Sequence, residues 1–275
     1  MSYRAVLFDL FDTLVLFHRE RLPEIEVDGK TIRTTAGHLH AELRRFAPDV
    51  GLAAFVAALF WSWQEAERIR AEDHREVGAP ERFGMLFGRL GLDAGRMPAE
   101  ARDVLLATHM RELSKVVECP PHHVELLGEL RRHYRLAVVS NFDYSPTCLT
   151  ILEREGIAPL FETIVISDEV GWRKPKPVIF ETALDRMGGV RPAEALFVGD
   201  RADIDVLGAR AVGMPTAWIN REALLLPKDI QAPDFEIRDL AELRRFAPDV
   251  ELSAFVAALF WSWQEAERIR AEDHR

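Results

Sequence analysis

The sequence is poor in cysteine, in positive charge and in long hydrophobic runs. Its 275 residues include two cysteines, Cys119 and Cys148, far apart and in no Cys-x-x-Cys motif. That excludes a disulfide framework and favours a reducing compartment. Lysine and arginine number 35 against 45 acidic residues, for a net charge of −10. A chain with no basic surplus is a poor partner for a polyanion, so nucleic acid is excluded as the main ligand. Small anionic substrates stay open, because local fields decide those. The most apolar stretch, Leu52 to Trp61, is too short to span a bilayer. The N-terminal apolar run is interrupted by Asp9 and Asp12, unlike a signal peptide. These absences predict a cytoplasmic protein with no membrane partner.

Apolar residues make up 48% of the chain, enough to bury a sizeable core in one large domain or two smaller ones. The organising stretch is Ala5-Val6-Leu7-Phe8-Asp9-Leu10-Phe11-Asp12-Thr13-Leu14-Val15. It opens as a short apolar run, which reads as a buried strand. It ends in two acidic residues and a threonine, where an open α/β sheet presents its ligand-binding groups. A polar segment with an Asp28-Gly29 turn signal follows. The next ninety or so residues carry helical patterns: Thr31 to Phe46, Leu52 to Arg75, Pro80 to Leu90 and Pro98 to Val117. The last two have Pro near the start, where it is tolerated. They predict an all-helical cap over residues 18–118, inserted after the first strand.

From Arg135 strands and helices alternate. Leu136 to Val139, Thr163 to Ile166, Ala195 to Val198, Thr216 to Ile219 and Phe235 to Ile237 read as strands. Pro146 to Glu155, Pro177 to Met187 and Asp203 to Val212 read as helices, each followed by a glycine. The alternation predicts a Rossmann-like, doubly wound parallel sheet built from residues 1–17 and 119–240. Residues 241–275 repeat residues 41–75 with two differences, Gly51 against Glu251 and Ala53 against Ser253. Two copies two hundred residues apart are not a solenoid. They read as an appended copy of the first part of the insert, whose apolar stripe offers a contact for a homodimer.

Functional groups fall at the ends of the strand-like runs. Asp9 ends the first, Ser140 the second, Asp200 follows Val198-Gly199, and Lys174 lies in the loop Gly171 to Pro177. A parallel sheet brings such ends to one edge. There they assemble a nucleophile, a hydroxyl donor, a cation and metal-binding carboxylates. Carboxylates with a carbonyl and waters suit Mg²⁺.

This ordered set resembles the haloacid dehalogenase-like hydrolase superfamily, in the subclass with a helical cap inserted after the first motif. Phe8-Asp9-Leu10-Phe11-Asp12-Thr13-Leu14 resembles the first motif, Val138-Val139-Ser140-Asn141 the second and Lys174-Pro175 the third. Val198-Gly199-Asp200, continuing through Asp205 to Gly208-Ala209, resembles the fourth. The resemblance implies that Asp9 is the nucleophile, Ser140 the hydroxyl that holds the transferred group and Lys174 the neutralising cation. It implies Thr13 and Asn141 as substrate-binding residues, and Asp9, the Phe11 carbonyl, Asp200 and Asp205 as ligands of Mg²⁺. The implied activity is a Mg²⁺-dependent phosphatase acting on a small anionic phosphate ester through an aspartyl-phosphate on Asp9.

The first motif departs from the phosphatase pattern Asp-x-Asp-Gly-Thr. Phe11 stands where the acid/base Asp is usual, and Asp12 where Gly is usual. Phe transfers no proton, so general acid–base catalysis falls to Asp12 or is missing. An aromatic there is similar to the 2-haloacid dehalogenases, whose halide leaves without a proton. That keeps a dehalogenase-type hydrolase and a catalytically weak binding or regulatory member as alternatives. Arg33, Arg44 and Arg45 are the cationic candidates in the insert for a halide or carboxylate, although an Arg on a helix is more often a solvated charge. Phe60, Trp61 and Trp63 read as cap core or cap–core interface, and His122-His123 as linker. Arg173 reads either as an anion-binding residue or as a solvated charge.

Overall fold

A computed structural model describes residues 3–92 and 98–246. Its centre is a six-stranded, all-parallel sheet. β1 (Ala5–Phe8) lies between β6 (Arg135–Ser140) and β8 (Ala195–Gly199). β7 (Thr163–Ile166) extends the β6 side, and β9 (Thr216–Ile219) and β10 (Phe235–Ile237) extend the β8 side. Each strand is a short β-rich run buried on both faces, as parallel sheets require. Side chains alternate between two cores. Val6, Phe8, Leu136, Val138, Leu196 and Val198 pack with α5 (Pro121–Leu130) and α6 (Ser145–Arg154). Ala5, Leu7, Ala137, Val139, Ala195 and Phe197 pack with α7 (Pro177–Arg186) and α8 (Leu207–Ala211). A period of two along each strand thus covers both faces with helices, the doubly wound arrangement. Each fully buried Leu or Phe contributes about 1.5–3 kcal/mol.

The chain leaves the sheet after β1 and returns through a two-stranded antiparallel crossing. Its strands are β2 (Leu16–Phe17) and β5 (Val117–Glu118). Between them lie α1 (Ala36–Leu43), α2 (Leu52–Asp73), α3 (Ala79–Arg89) and α4 (Ala99–Ser114), whose apolar faces form a separate core around Leu39, Phe55, Phe83 and Leu105.

The insert is not all-helical. Thr31 to Arg33, expected to begin a helix, belong to a hairpin of β3 (Glu24–Val27) and β4 (Lys30–Arg33). The loop is Asp28-Gly29, with φ of 50° and 72°. Two positive φ values in a two-residue loop match the twist of the flanking strands, so this dipeptide closes a hairpin. The His122-His123 pair is not linker either, since both residues lie in the first turn of α5.

Past β10, Leu240–Phe246 form a 3₁₀ segment that lays Leu243 into the sheet's core and pairs Arg244 with Glu129 of α5. The remainder of the near-copy, and with it the expected homodimer contact, lies outside the described residues. Among the described residues no helix is long and apolar enough to cross a membrane.

Candidate active site

Sheet order places the site. β6 and β7 run to one side of β1, and β8 to β10 to the other. The strand order switches sides at β1, and a crevice opens at the carboxyl ends there. Asp9 continues β1, its N–H donating to the Val198 carbonyl at 2.9 Å. Asp200 directly follows β8. Asp205 sits in a π-helical turn, Ala202–Val206, of a kind that recurs at functional sites. Asp205 Oδ2 accepts the Arg201 N–H at 3.0 Å, which fixes the carboxylate against the strand end. A Cβ on Gly199 would collide with the Asp205 carboxylate, so glycine is required there.

One oxygen each from Asp9, Asp200 and Asp205 lies within 4.8 Å of the others. Lys174 Nζ donates to Asp9 Oδ1 at 2.6 Å and pairs with Asp205 Oδ1 at 2.8 Å. Three carboxylates and one ammonium in a buried pocket leave an excess of negative charge. Burial, opposed by Lys174 and aided by Asp205, pushes the Asp9 carboxyl up to about 6. Burial, together with Asp9 and Asp205, pushes Asp200 up to about 7. Burial works against the Lys174 ammonium, but Asp205 and Asp9 outweigh it and its pKa rises. An all-oxygen set with surplus negative charge fits a hard dication such as Mg²⁺.

The remaining expected residues surround this cluster. Ser140 is fully buried at the end of β6, and its hydroxyl has no hydrogen-bond partner among the described residues. Asn141 spans the Lys174 backbone, donating to its carbonyl at 2.9 Å and accepting its N–H at 2.7 Å. That pair holds the lysine loop. Thr13 Oγ1 reaches Asp200 Oδ1 at 3.5 Å, the limit of a hydrogen bond.

Asp12 and Phe11 point elsewhere. Asp12 takes a left-handed conformation, φ 58°. Its carboxylate accepts the Phe17 N–H at 3.1 Å and Arg19 at 3.0 Å, and it is not one of the three converging carboxylates. The Phe11 ring stacks on Phe142 with centroids 4.8 Å apart. A cleft of about 380 Å³ opens beside Asp12 and Asp200, lined also by Arg19, Arg201 and Arg221.

Other expectations are corrected. Arg173 is neither solvated nor free for an anion, because it pairs with buried Glu76 at 3.0 Å. Arg33 pairs with Glu24 and Arg45 with Glu42, and both are exposed, as is Arg44, in agreement with the reading of these three as solvated charges. Phe60 and Trp63 are 47% and 38% exposed rather than core. The helical segment instead buries Arg70, against Glu76, and Arg82. Arg82 is fully enclosed, donates to Asp143 Oδ2 at 3.0 Å and lies 4.5 Å over the Trp63 ring. Nothing in the helical pattern of α3 distinguishes it from a solvated arginine.

The chain matches the haloacid dehalogenase-like hydrolases over residues 3–213. It belongs to that family. A pyrimidine 5'-nucleotidase of Escherichia coli is 30% identical over 191 residues, 70% of this chain and 83% of the relative. A glyceraldehyde 3-phosphate phosphatase of Methanopyrus kandleri is 31% identical over 245 residues, 87% of this chain and 95% of the relative. Among solved structures, a 2-haloacid dehalogenase of Pseudomonas syringae pv. Tomato superposes with a TM-score of 0.64. It is 25% identical, over 89% of this chain and 98% of that one. The haloacid dehalogenase-like family therefore accounts for the parallel sheet and the helices that flank it. Its members here include both phosphatases and dehalogenases, and the chain is a hydrolase of that family.

Proposed function

We propose that the protein is a Mg²⁺-dependent phosphatase of small phosphate monoesters. The observation that carries this is the convergence of Asp9, Asp200 and Asp205 on one point, with Lys174 bridging Asp9 and Asp205. Asp9, Asp200 and Asp205 would hold Mg²⁺, which when bound offsets the charge between the nucleophile and an anionic phosphoryl group. The named activities of the relatives, on a nucleotide and on a triose phosphate, share a phosphate monoester.

In this reading Asp9 attacks phosphorus through a carboxylate oxygen, the bond to the leaving oxygen breaks, and an aspartyl-phosphate forms. Water then attacks phosphorus, inorganic phosphate departs and the Asp9 carboxylate is restored. Lys174 orients Asp9 and offsets the clustered charge. The unpartnered Ser140 hydroxyl donates to a phosphoryl oxygen. The helical insert closes over the crevice as a cap. With Phe11 stacked and Asp12 tied to Arg19, neither first-motif side chain stands ready to protonate the leaving oxygen, so esters of acidic alcohols or phenols react best.

Phosphate release from a panel of esters, with Mg²⁺ and with EDTA, tests this. EDTA-sensitive release supports it. Halide release from 2-haloacids that survives EDTA, without phosphate release, overturns it. That outcome would favour the dehalogenase reading, for which the aromatic Phe11 speaks. Ligand binding with neither activity would favour a regulatory member.

A further inference from the structure

A second group of potential metal ligands lies outside the site described. His122 and His123 occupy the first turn of α5, and Asp239 follows β10. One ligand atom from each lies within 4.8 Å of the others. We propose that His122, His123 and Asp239 form a three-ligand site for a transition-metal dication of the zinc class, stapling the segment after β10 to the start of α5.

Three features carry this. Adjacent residues on a helix ordinarily project apart. Here the two imidazole rings converge, with centroids 4.5 Å apart and planes at 73°. Buried His123 has its Nδ1 2.9 Å from the Leu14 carbonyl. A carbonyl only accepts, so Nδ1 carries the hydrogen and Nε2 keeps its lone pair. That outer hydrogen bond is what metal-binding histidines use to set their tautomer. Finally, His122 Nε2 lies 3.5 Å from Asp239 Oδ2. Ligands about 2 Å from a tetrahedral zinc ion lie about 3.3 Å apart. Small rotations of the half-exposed His122 and Asp239 side chains complete the closure.

The donor set selects the ion. Two imidazoles and one carboxylate suit Zn²⁺, Co²⁺ or Ni²⁺ better than Mg²⁺, which prefers oxygen. A tetrahedral ion keeps one position for water. The N-terminal end of α5 and the nearby Arg221 oppose a cation. A helix end opposes a cation only weakly beside three direct metal–ligand bonds. The ligands join three pieces of chain. Asp239 leads into the 3₁₀ segment on α5, and His123 grips Leu14, two residues past Asp12. Occupancy thus ties the C-terminal segment to the loop that follows the nucleophile.

The test uses the full chain with excess Mg²⁺, so that the acidic cluster is not counted, and titrates Co²⁺ while recording visible absorption. The expected result is one equivalent giving the intense tetrahedral spectrum. His122→Ala and Asp239→Asn, at half-exposed positions, should each weaken binding at least about tenfold. Asp200→Asn should keep the spectrum. Zn²⁺ should raise the melting temperature of the unaltered chain and not of His122→Ala. No tetrahedral spectrum, or one that survives both His122→Ala and Asp239→Asn, overturns the proposal and leaves an ion pair only.

Discussion

Phe11 lies face to face with Phe142, ring centroids 4.8 Å apart and planes 28° from parallel. The stack joins the loop after β1, which opens with Asp9, to the loop after β6, which follows Ser140. In the reading proposed above, the Phe11 ring stands where a proton-delivering acid would be needed.

Phe11→Asp should therefore raise turnover of esters with poor leaving groups, by at least about tenfold, since general acid catalysis is worth about 10²–10⁴. Losing the stack should cost about 1–2 kcal/mol of stability. Comparing alkyl with aryl phosphates checks the first part, and denaturant midpoints the second. A folded Phe11→Asp with unchanged alkyl phosphate turnover would count against the missing-acid account.

Asp12→Asn tests whether Asp12 stands in as the acid. Its carboxylate is committed to Phe17 and Arg19, so the variant should retain activity within about tenfold, against the larger loss expected of an acid–base residue. Steady-state rates on one aryl ester suffice. A loss of a thousandfold would restore Asp12 to the proton transfer.

Lys174→Met removes the one ammonium shared by Asp9 and Asp205. Leaving buried carboxylates unpaired should cost about 3–5 kcal/mol at neutral pH, read from chemical denaturation in EDTA. Excess Mg²⁺ should recover part of the stability without restoring the rate. A variant as stable as the parent in EDTA would show that the bridge is energetically idle.

The raised carboxyl of Asp200, at about 7, has a stability consequence of definite sign. The folded chain holds that proton more tightly than the unfolded chain does. Between about pH 4 and pH 7 stability contributed by this group therefore falls as pH rises. Asn does not ionise. In EDTA, Asp200→Asn should exceed the parent by about 1–3 kcal/mol at pH 8, and the gap should close toward pH 4. Mg²⁺ should reverse the order at pH 8. A gap that does not vary with pH would remove Asp200 from the titrating cluster.

The strands and the strand-end residues were legible because their signals are local. A buried parallel strand is a short apolar run, and its C-terminal edge is the next residue, so Asp9, Ser140 and Asp200 could be placed. The hairpin over Glu24 to Arg33 was legible too, since Asp28-Gly29 between short alternating runs is a hairpin signal. The helical reading of Thr31 passed over it. α5 likewise carries Pro121 at its first position and apolar Leu126, Leu127 and Leu130 at helical spacing. The Arg173–Glu76 pair and the enclosed Arg82 were not legible, because a charged residue on a helix or loop looks the same buried or solvated.

By itself, the sequence determined the alternation of strands and helices, the order of the reactive residues and the lack of an acid at Phe11. Only the tertiary structure decided where Asp12 is engaged, which cations are buried, and what a given hexapeptide becomes. Ala41 to Phe46 and Ala241 to Phe246 are identical in sequence. The first ends an α-helix, with Leu43 in the core of the helical segment. The second is 3₁₀, with Leu243 against the sheet's helices. Local propensity is the same in both. The apolar surface each leucine meets is different, and burying it outweighs the small preference of six residues for one helical form.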